Sequence, residues 1–186
     1  MASKINQIKK LVKAECRANG LGWFYDVHLV AVENCAKLLL EKLPKADKEI
    51  VMLGVWLHDL QRVRGIEGDH VKIGALEAKK VMREFNYPRW KIEALREIVL
   101  SHSCQKGLAP KTLEGKILAT ADAMSHFTND FSLEIAVTGR RDVKGFKKWA
   151  LEKIERDYHK KIFFPFAKKI VAKHYRALKE FLTMGG

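Results

Sequence analysis

Ile50-Val51-Met52-Leu53-Gly54-Val55-Trp56-Leu57-His58-Asp59 is the stretch whose reading decides the fold. Its apolar run is too short to cross a bilayer, which takes about 20 residues, so it reads as a core helix that ends on two polar residues. A histidine and a carboxylate are costly to bury there unless something satisfies them. A divalent metal does so, because neutral imidazole and carboxylate together suit transition metals. Two further residues sit in similar settings. His28 precedes Leu29-Val30-Ala31-Val32, and Asp122 lies inside Ile117-Leu118-Ala119-Thr120-Ala121-Asp122-Ala123-Met124.

Working outward, the whole chain reads as helical. Ile5, Ile8, Leu11, Val12 and Cys16 keep helical spacing up to Asn19-Gly20, a C-terminal stop. Further helices are predicted over about 26–43, 47–60, 70–86, 89–102, 112–127, 142–161 and 166–182, with Pro44, Pro88 and Pro110 among the punctuation. Residues 61–69 and 103–111 read as loops. The sequence offers no alternating strand pattern, internal repeat or low-complexity stretch. One all-α domain over residues 1–186 is the economical reading, with the basic helices of about 142–182 packing on a core at about 23–127.

Side chains at i, i+3, i+4 and i+7 share a helix face. His28 therefore lines up with Ala31, Val32, Cys35 and Leu39; His58 with Val51, Gly54 and Val55; Asp59 with Met52, Val55 and Trp56; Asp122 with Gly115, Leu118 and Ala119. Each is predicted to face the core side of its helix. His70, on the face of Gly74, Ala78, Val81 and Phe85, and His102, on the face of Leu95, Ile98 and Val99, follow the same pattern. His126 lies one turn beyond Asp122, where helix packing explains it as well as a site edge does. His159 and His174 sit among lysines and read as surface residues.

The order His28, His58-Asp59, Asp122 on separate helices resembles the HD superfamily of metal-dependent phosphohydrolases, over roughly residues 23–127. Its strongest pieces are Gly54-Val55-Trp56-Leu57-His58-Asp59 and Glu114-Gly115-Lys116-Ile117-Leu118-Ala119-Thr120-Ala121-Asp122-Ala123. The resemblance implies an all-α, single-domain HD-type helical bundle. In it, His28, His58, Asp59 and Asp122 bind one divalent ion: manganese, cobalt, nickel, iron or magnesium. It also implies hydrolysis of a phosphoester or phosphoanhydride by water that such an ion acidifies, with a small phosphorylated substrate, a nucleotide by preference. Asp59 is assigned both ligation and water orientation, and Asp69 is the candidate proton acceptor. His70, His102, Arg62 and Lys116 are the candidates to neutralise the phosphoryl group.

Two departures qualify this assignment. Two-metal members often carry consecutive histidines where His102 stands; here Ser103 follows, which argues for one metal rather than two. Some HD nucleotidases and alarmone hydrolases carry a glutamate three residues after the doublet, a position held here by Arg62, so that acid/base role is not transferred. Arg62 and Arg64 offer guanidinium forks for an oxyanion and read equally as surface charge. Two other readings stay open. One is a metal-holding but inactive HD domain that senses nucleotides or binds nucleic acid. The other is a di-iron HD-type oxygenase, with His70 and His102 completing a two-metal site.

Composition is that of an ordinary soluble globular protein. Of the 186 residues, 47% are hydrophobic and 31% charged, unlike a disordered chain. The first residues lack the apolar core of a signal peptide, and no stretch is long enough for a membrane helix. Cys16, Cys35 and Cys104 are odd in number and widely spaced, which argues for reduced thiols in a cytoplasm and against a disulfide framework. The net charge is +13, and residues 140–186 hold 14 Lys/Arg against 5 Asp/Glu. Three readings compete for this charge: a solvated helical face, a field that draws in an anionic substrate, and a nucleic-acid surface, for which no recognition motif is present. No dimer motif is legible, although Trp149 and Phe163 read as aromatics available to an interface.

Overall fold

A computed structural model describes residues 3–105, 107–128, 130–139 and 141–184. Among them it forms ten α-helices and no strand. The helices are α1 (Lys4–Ala18), α2 (Val30–Lys42), α3 (Lys48–Leu57), α4 (Leu60–Val63), α5 (His70–Glu84), α6 (Arg89–Ser101), α7 (Leu113–Ser125), α8 (Phe131–Thr138), α9 (Val143–Arg156) and α10 (Pro165–Thr183). Two π-helical turns, Phe24–Leu29 and Asp157–Lys161, join the N-terminal end of α2 and the C-terminal end of α9. The bundle is all-α, as expected from the sequence.

Side-chain caps fix where several helices start. Ser3 accepts from the Asn6 amide, Asp47 from those of Glu49 and Ile50, Asp69 from Lys72, Thr112 from Gly115 and Asp142 from Gly145. Each such oxygen satisfies an N–H that the first helical turn leaves without a partner. Pro165 begins α10, at the position where its missing N–H costs nothing.

Helices α3 and α7 form the centre of the bundle. Seven of the ten residues of α3 are buried, and α7 is buried from Ile117 through Ser125. Such helices, apolar on nearly every face, have no solvent side. Gly54 is what lets α3 lie against its neighbours: an added Cβ would stand 2.9 Å from Ile98 Cδ1 and 3.0 Å from Leu118 Cδ2. The two central helices carry His58 and Asp122, so the site is built on the most constrained part of the molecule.

The C-terminal helices join the same core through Ala150, Ile154, Ile162, Ala167, Val171, Tyr175 and Leu182. A stack of Tyr158 on Tyr175, with centroids 4.1 Å apart, ties α10 back to the π-helical turn after α9. Four local features depart from the sequence expectations, the first being α4, a helical turn at Leu60–Val63 that runs into the loop expected over 61–69. Residues 131–138 form α8, a short helix the periodicity did not announce. The helix expected over 26–43 opens as a π-helical turn, and the one expected over 142–161 closes as one. No helix is long and apolar enough to cross a membrane among the described residues.

Candidate metal centre

His28, His58, Asp59 and Asp122 come together. His28 Nε2 lies 3.7 Å from Asp59 Oδ2 and 3.5 Å from Asp122 Oδ1, and His58 Nε2 lies 3.6 and 3.9 Å from the same two oxygens. Ligand atoms that share an ion at roughly 2.0–2.2 Å stand roughly 3–4 Å from one another, a range these four nitrogen–oxygen distances meet; the group whose ligand atoms all lie within 4.8 Å of one another is His28, His58 and Asp59, with Asp122 in a neighbouring group. The imidazoles and Asp122 are almost fully buried; Asp59 is less so.

Each ring is held with one nitrogen lone pair toward this point. His58 Nδ1–H donates to the Val55 carbonyl at 3.1 Å, which in the neutral ring puts the lone pair on Nε2, and that nitrogen is fully buried without a hydrogen-bond partner among the described residues. Ser125 Oγ donates its proton to the Asp122 carbonyl at 2.7 Å, so it accepts from His28 Nδ1–H at 3.2 Å and turns the His28 Nε2 lone pair inward. Partners of this kind fix the tautomer and aim of metal-binding histidines. An orphaned buried nitrogen costs about 1–3 kcal/mol, and a cation between the carboxylates removes that cost. The donor set, two imidazoles and two carboxylates, suits a first-row divalent ion over a closed thiolate zinc site.

Local backbone geometry accounts for these positions. The π-helical turn Phe24–Leu29 carries His28, with the Val30 amide bonded back to the Tyr25 carbonyl five residues away. Insertions of this type occur inside α-helices and are frequent at functional sites. His58 closes α3, and Asp59 sits in the break before α4, where its backbone leaves helical geometry. Gly74 on α5 permits a close approach here, since a Cβ would stand 3.0 Å from the His58 carbonyl oxygen.

The structure adds residues that the sequence reading did not place in the site. His126 Nδ1–H donates to Asp157 at 2.8 Å, while its Nε2 faces Asp122 Oδ1 at 3.5 Å; its ring stacks on His28 with centroids 5.2 Å apart. His28, Asp122 and His126 make a second ligand-like group, which has His28 in common with the group of His28, His58 and Asp59. Lys161, from the π-helical turn after α9, is almost fully buried and hydrogen-bonds Asp122 Oδ2. Thr120 puts it there: its hydroxyl donates to the Lys161 carbonyl at 3.2 Å and accepts from the Phe163 amide at 3.1 Å. Behind them Asp157, fully buried, pairs with Lys153 at 3.1 Å as well as with His126.

Electrostatics follow from this crowding. Burial alone pushes the Asp59 carboxyl up, but His58, Arg62 and His102 outweigh it and hold it well below the carboxylate range. Burial pushes the Asp122 carboxyl up too, and is outweighed by Lys161 and His126. Burial drives His28 well below the ordinary imidazole value, and burial with the nearby His58 ring pushes His102 down to about 4. Both are therefore neutral near pH 7. Lys161 keeps its proton because Asp122 and Asp157 outweigh the effect of burial.

These groups face a cavity of about 220 Å³ lined by His28, Asp59, Asp122, Lys161, Arg62 and Arg156 among others. Three of the expected substrate contacts are there. His70 and His102 line it, with ring centroids 6.0 Å apart, and Arg62 lines it with its guanidinium over the Phe24 ring. His102 Nδ1–H donates to the Val99 carbonyl at 2.6 Å, which turns its Nε2 toward Asp59 Oδ1 at 4.0 Å.

Other expectations are corrected. Lys116 does not line the cavity: six residues before Asp122 on α7, it projects roughly 240° around the helix from it. Asp69 caps α5 through Oδ1 and lines the adjoining cleft with His70 rather than this cavity. Arg64 pairs with Glu15 at 2.7 Å and Glu77 at 2.5 Å, which makes it a bridge between α1 and α5 rather than a phosphate clamp. Trp149 is not a free interface aromatic but part of the cavity wall.

Fold and centre together define a helical bundle with a buried histidine–aspartate centre, and the comparisons give that class its family. The profile of the HD domain matches residues 25–126, which is more than half of the chain, and the chain belongs to the HD domain family. A solved structure of an HD-superfamily hydrolase from Bacillus thuringiensis superposes with a TM-score of 0.70 over 96% of this chain and 93% of that one. At 16% identity, that likeness concerns the fold. The 3'-5' exoribonucleases YhaM of Bacillus velezensis and Bacillus subtilis are each 27% identical over 88 residues, 40% of this chain and only 28% of theirs.

Proposed function

We propose that the protein is a metal-dependent phosphohydrolase acting on a nucleotide-like phosphoester or phosphoanhydride. The observation that carries this reading is the convergence of the His28 and His58 lone pairs with the Asp59 and Asp122 carboxylates, beneath a cavity walled by cationic side chains. A divalent ion held by these four residues supplies Lewis acidity, which acidifies water and polarises a phosphoryl oxygen. The chain's own side chains do the rest. Asp59, deprotonated throughout the physiological range, offers its second oxygen to orient the attacking water. His102 presents a neutral Nε2 beside that oxygen, Arg62 neutralises charge that develops on the phosphoryl group, and His70, whose pKa burial lowers, offers it a hydrogen bond. Lys161 engages the outer oxygen of Asp122 and keeps that carboxylate in place.

The reading is tested by phosphate and pyrophosphate release from a panel of nucleotides and aryl phosphates with manganese, cobalt, nickel, iron or magnesium. Release that requires metal and disappears in Asp59→Asn is the expected result, and the products name the bond cut. Stoichiometric metal without release from any substrate overturns it, in favour of a domain that senses nucleotides. Nucleic-acid affinity that falls steeply with salt, again without release, points instead to a binding role for the basic helices. Oxygen consumption with two bound irons would identify an oxygenase.

A further inference from the structure

Four buried side-chain polar atoms lack a hydrogen-bond partner among the described residues: Trp56 Nε1, His58 Nε2, Ser103 Oγ and Arg156 Nε. Three of the four surround the metal centre. A cation accounts for His58. Nothing yet described accounts for Ser103 and Arg156, which both line the cavity, one from the segment after α6 and the other from the end of α9. Ser103 is 6% exposed and lines the cavity with its hydroxyl unpartnered by any described residue, and a buried polar group of this kind needs an ion, a ligand or an ordered water as its partner.

The missing partner has a definite chemistry. A guanidinium N–H can only donate, and a serine hydroxyl donates readily, so both seek an acceptor. Lys161 adds an ammonium to the same lining, near enough to Arg156 to feel its charge. Charge shows how anionic the acceptor is. Arg62, Lys153, Arg156 and Lys161 line the cavity with Asp59 and Asp122. Even with Asp157 counted behind them, four side-chain cations stand against three carboxylates, before a divalent ion adds two more charges or any histidine is protonated. A phosphodiester brings one negative charge; a phosphomonoester brings close to two at pH 7.

Resting on the phosphohydrolase reading, we propose that Ser103, Arg156 and Lys161 form a subsite for the non-reacting oxygens of a terminal phosphate, which makes the substrate an organic phosphomonoester. Space agrees. The inner cavity, about 220 Å³, shares His70, Ser103 and Gln105 with an adjoining cleft of about 390 Å³ that continues along Val71 and Leu108. The phosphate sits in the inner cavity and the organic group in the cleft. Hydrolysis breaks the phosphorus–oxygen ester bond: water gives its oxygen to phosphorus and one proton to the departing alkoxide, and the products are an alcohol and inorganic phosphate.

The test is calorimetric titration of inorganic phosphate into the full chain, manganese-loaded and metal-free, beside steady-state kinetics. Arg156→Gln should weaken phosphate binding about tenfold or more and Ser103→Ala about threefold to tenfold, the range for losing one charged or one neutral hydrogen bond. Arg156→Lys should recover part of the loss, exposed Lys169→Gln should change nothing, and manganese content should match wild type throughout. The metal-free chain should show the same ranking at lower affinity. In kinetics, wild type should prefer p-nitrophenyl phosphate to bis(p-nitrophenyl) phosphate, and Arg156→Gln should erode that preference. Unchanged phosphate affinity in both variants, no phosphate binding by the wild type, or a standing preference for the diester or for RNA overturns the proposal. Absence of turnover with the phosphate ranking intact would instead remove the phosphohydrolase reading and leave the subsite standing.

Discussion

Replacing His58 with leucine should have opposite consequences with and without metal. His58 is fully buried, donates one hydrogen bond to the Val55 carbonyl, and leaves Nε2 unsatisfied. Without metal, the substitution loses a bond worth about 0.5–1.5 kcal/mol and removes an orphan that costs about 1–3 kcal/mol. The two nearly cancel, so His58→Leu in EDTA should unfold within about 1 kcal/mol of wild type, a shift of roughly 2–4 °C at this chain length. With metal at a hundred times its dissociation constant, wild type gains about 2.7 kcal/mol, or roughly 5–11 °C, and the variant gains almost none. Thermal melts by circular dichroism, with and without each ion, read both numbers. A variant that loses more than about 3 kcal/mol in EDTA would show His58 to be a satisfied structural residue, and an equal metal gain in both proteins would remove it from the ligand set.

Other perturbations separate roles that the structure distinguishes. Gly74→Ala places a Cβ 3.0 Å from the His58 carbonyl, which is backbone and yields little; it should cost about 1–3 kcal/mol by overpacking and weaken metal binding, read by melts and metal titration. Asp69→Ala should cost about 0.5–2 kcal/mol as a lost helix cap while kcat stays unchanged, contrary to a catalytic Asp69. For pH, His102 takes up its proton near pH 4 when folded and near 6.5 when unfolded. The unfolded chain therefore binds more protons between these values. Stability of the metal-free protein should be fully present above about pH 6.5 and fall by on the order of 3 kcal/mol on acidification to pH 4; urea midpoints across that range should flatten in His102→Leu.

The legible part of the site was the part in which polar residues interrupt apolar runs. His58-Asp59 and Asp122 stand out because their helices are buried on nearly every face, so each polar residue there needs a reason. His126 carried a usable signal, since it lies four residues after Asp122 and shares its face. Lys161 did not. In a segment rich in lysine, the one lysine that is buried looks like those that are solvated, and only the Thr120 contacts distinguish it. The i, i+4 succession Lys153, Asp157, Lys161 was the available hint, because an acid between two bases at helical spacing marks a paired face. Lys116 illustrates the opposite error: nearness in sequence to Asp122 concealed that it points elsewhere. Helix α8 escaped notice because eight residues with mixed preferences carry too little periodicity to identify.

The separation along the chain between Asp122 and Lys161 divides the centre into two inherited parts. His28, His58, Asp59 and Asp122 all come from the first two thirds of the sequence, whereas Lys153, Arg156 and Lys161 come from the last quarter. Substitutions in the C-terminal helices can therefore retune the charge of the cavity while leaving the histidine–aspartate cluster as it is.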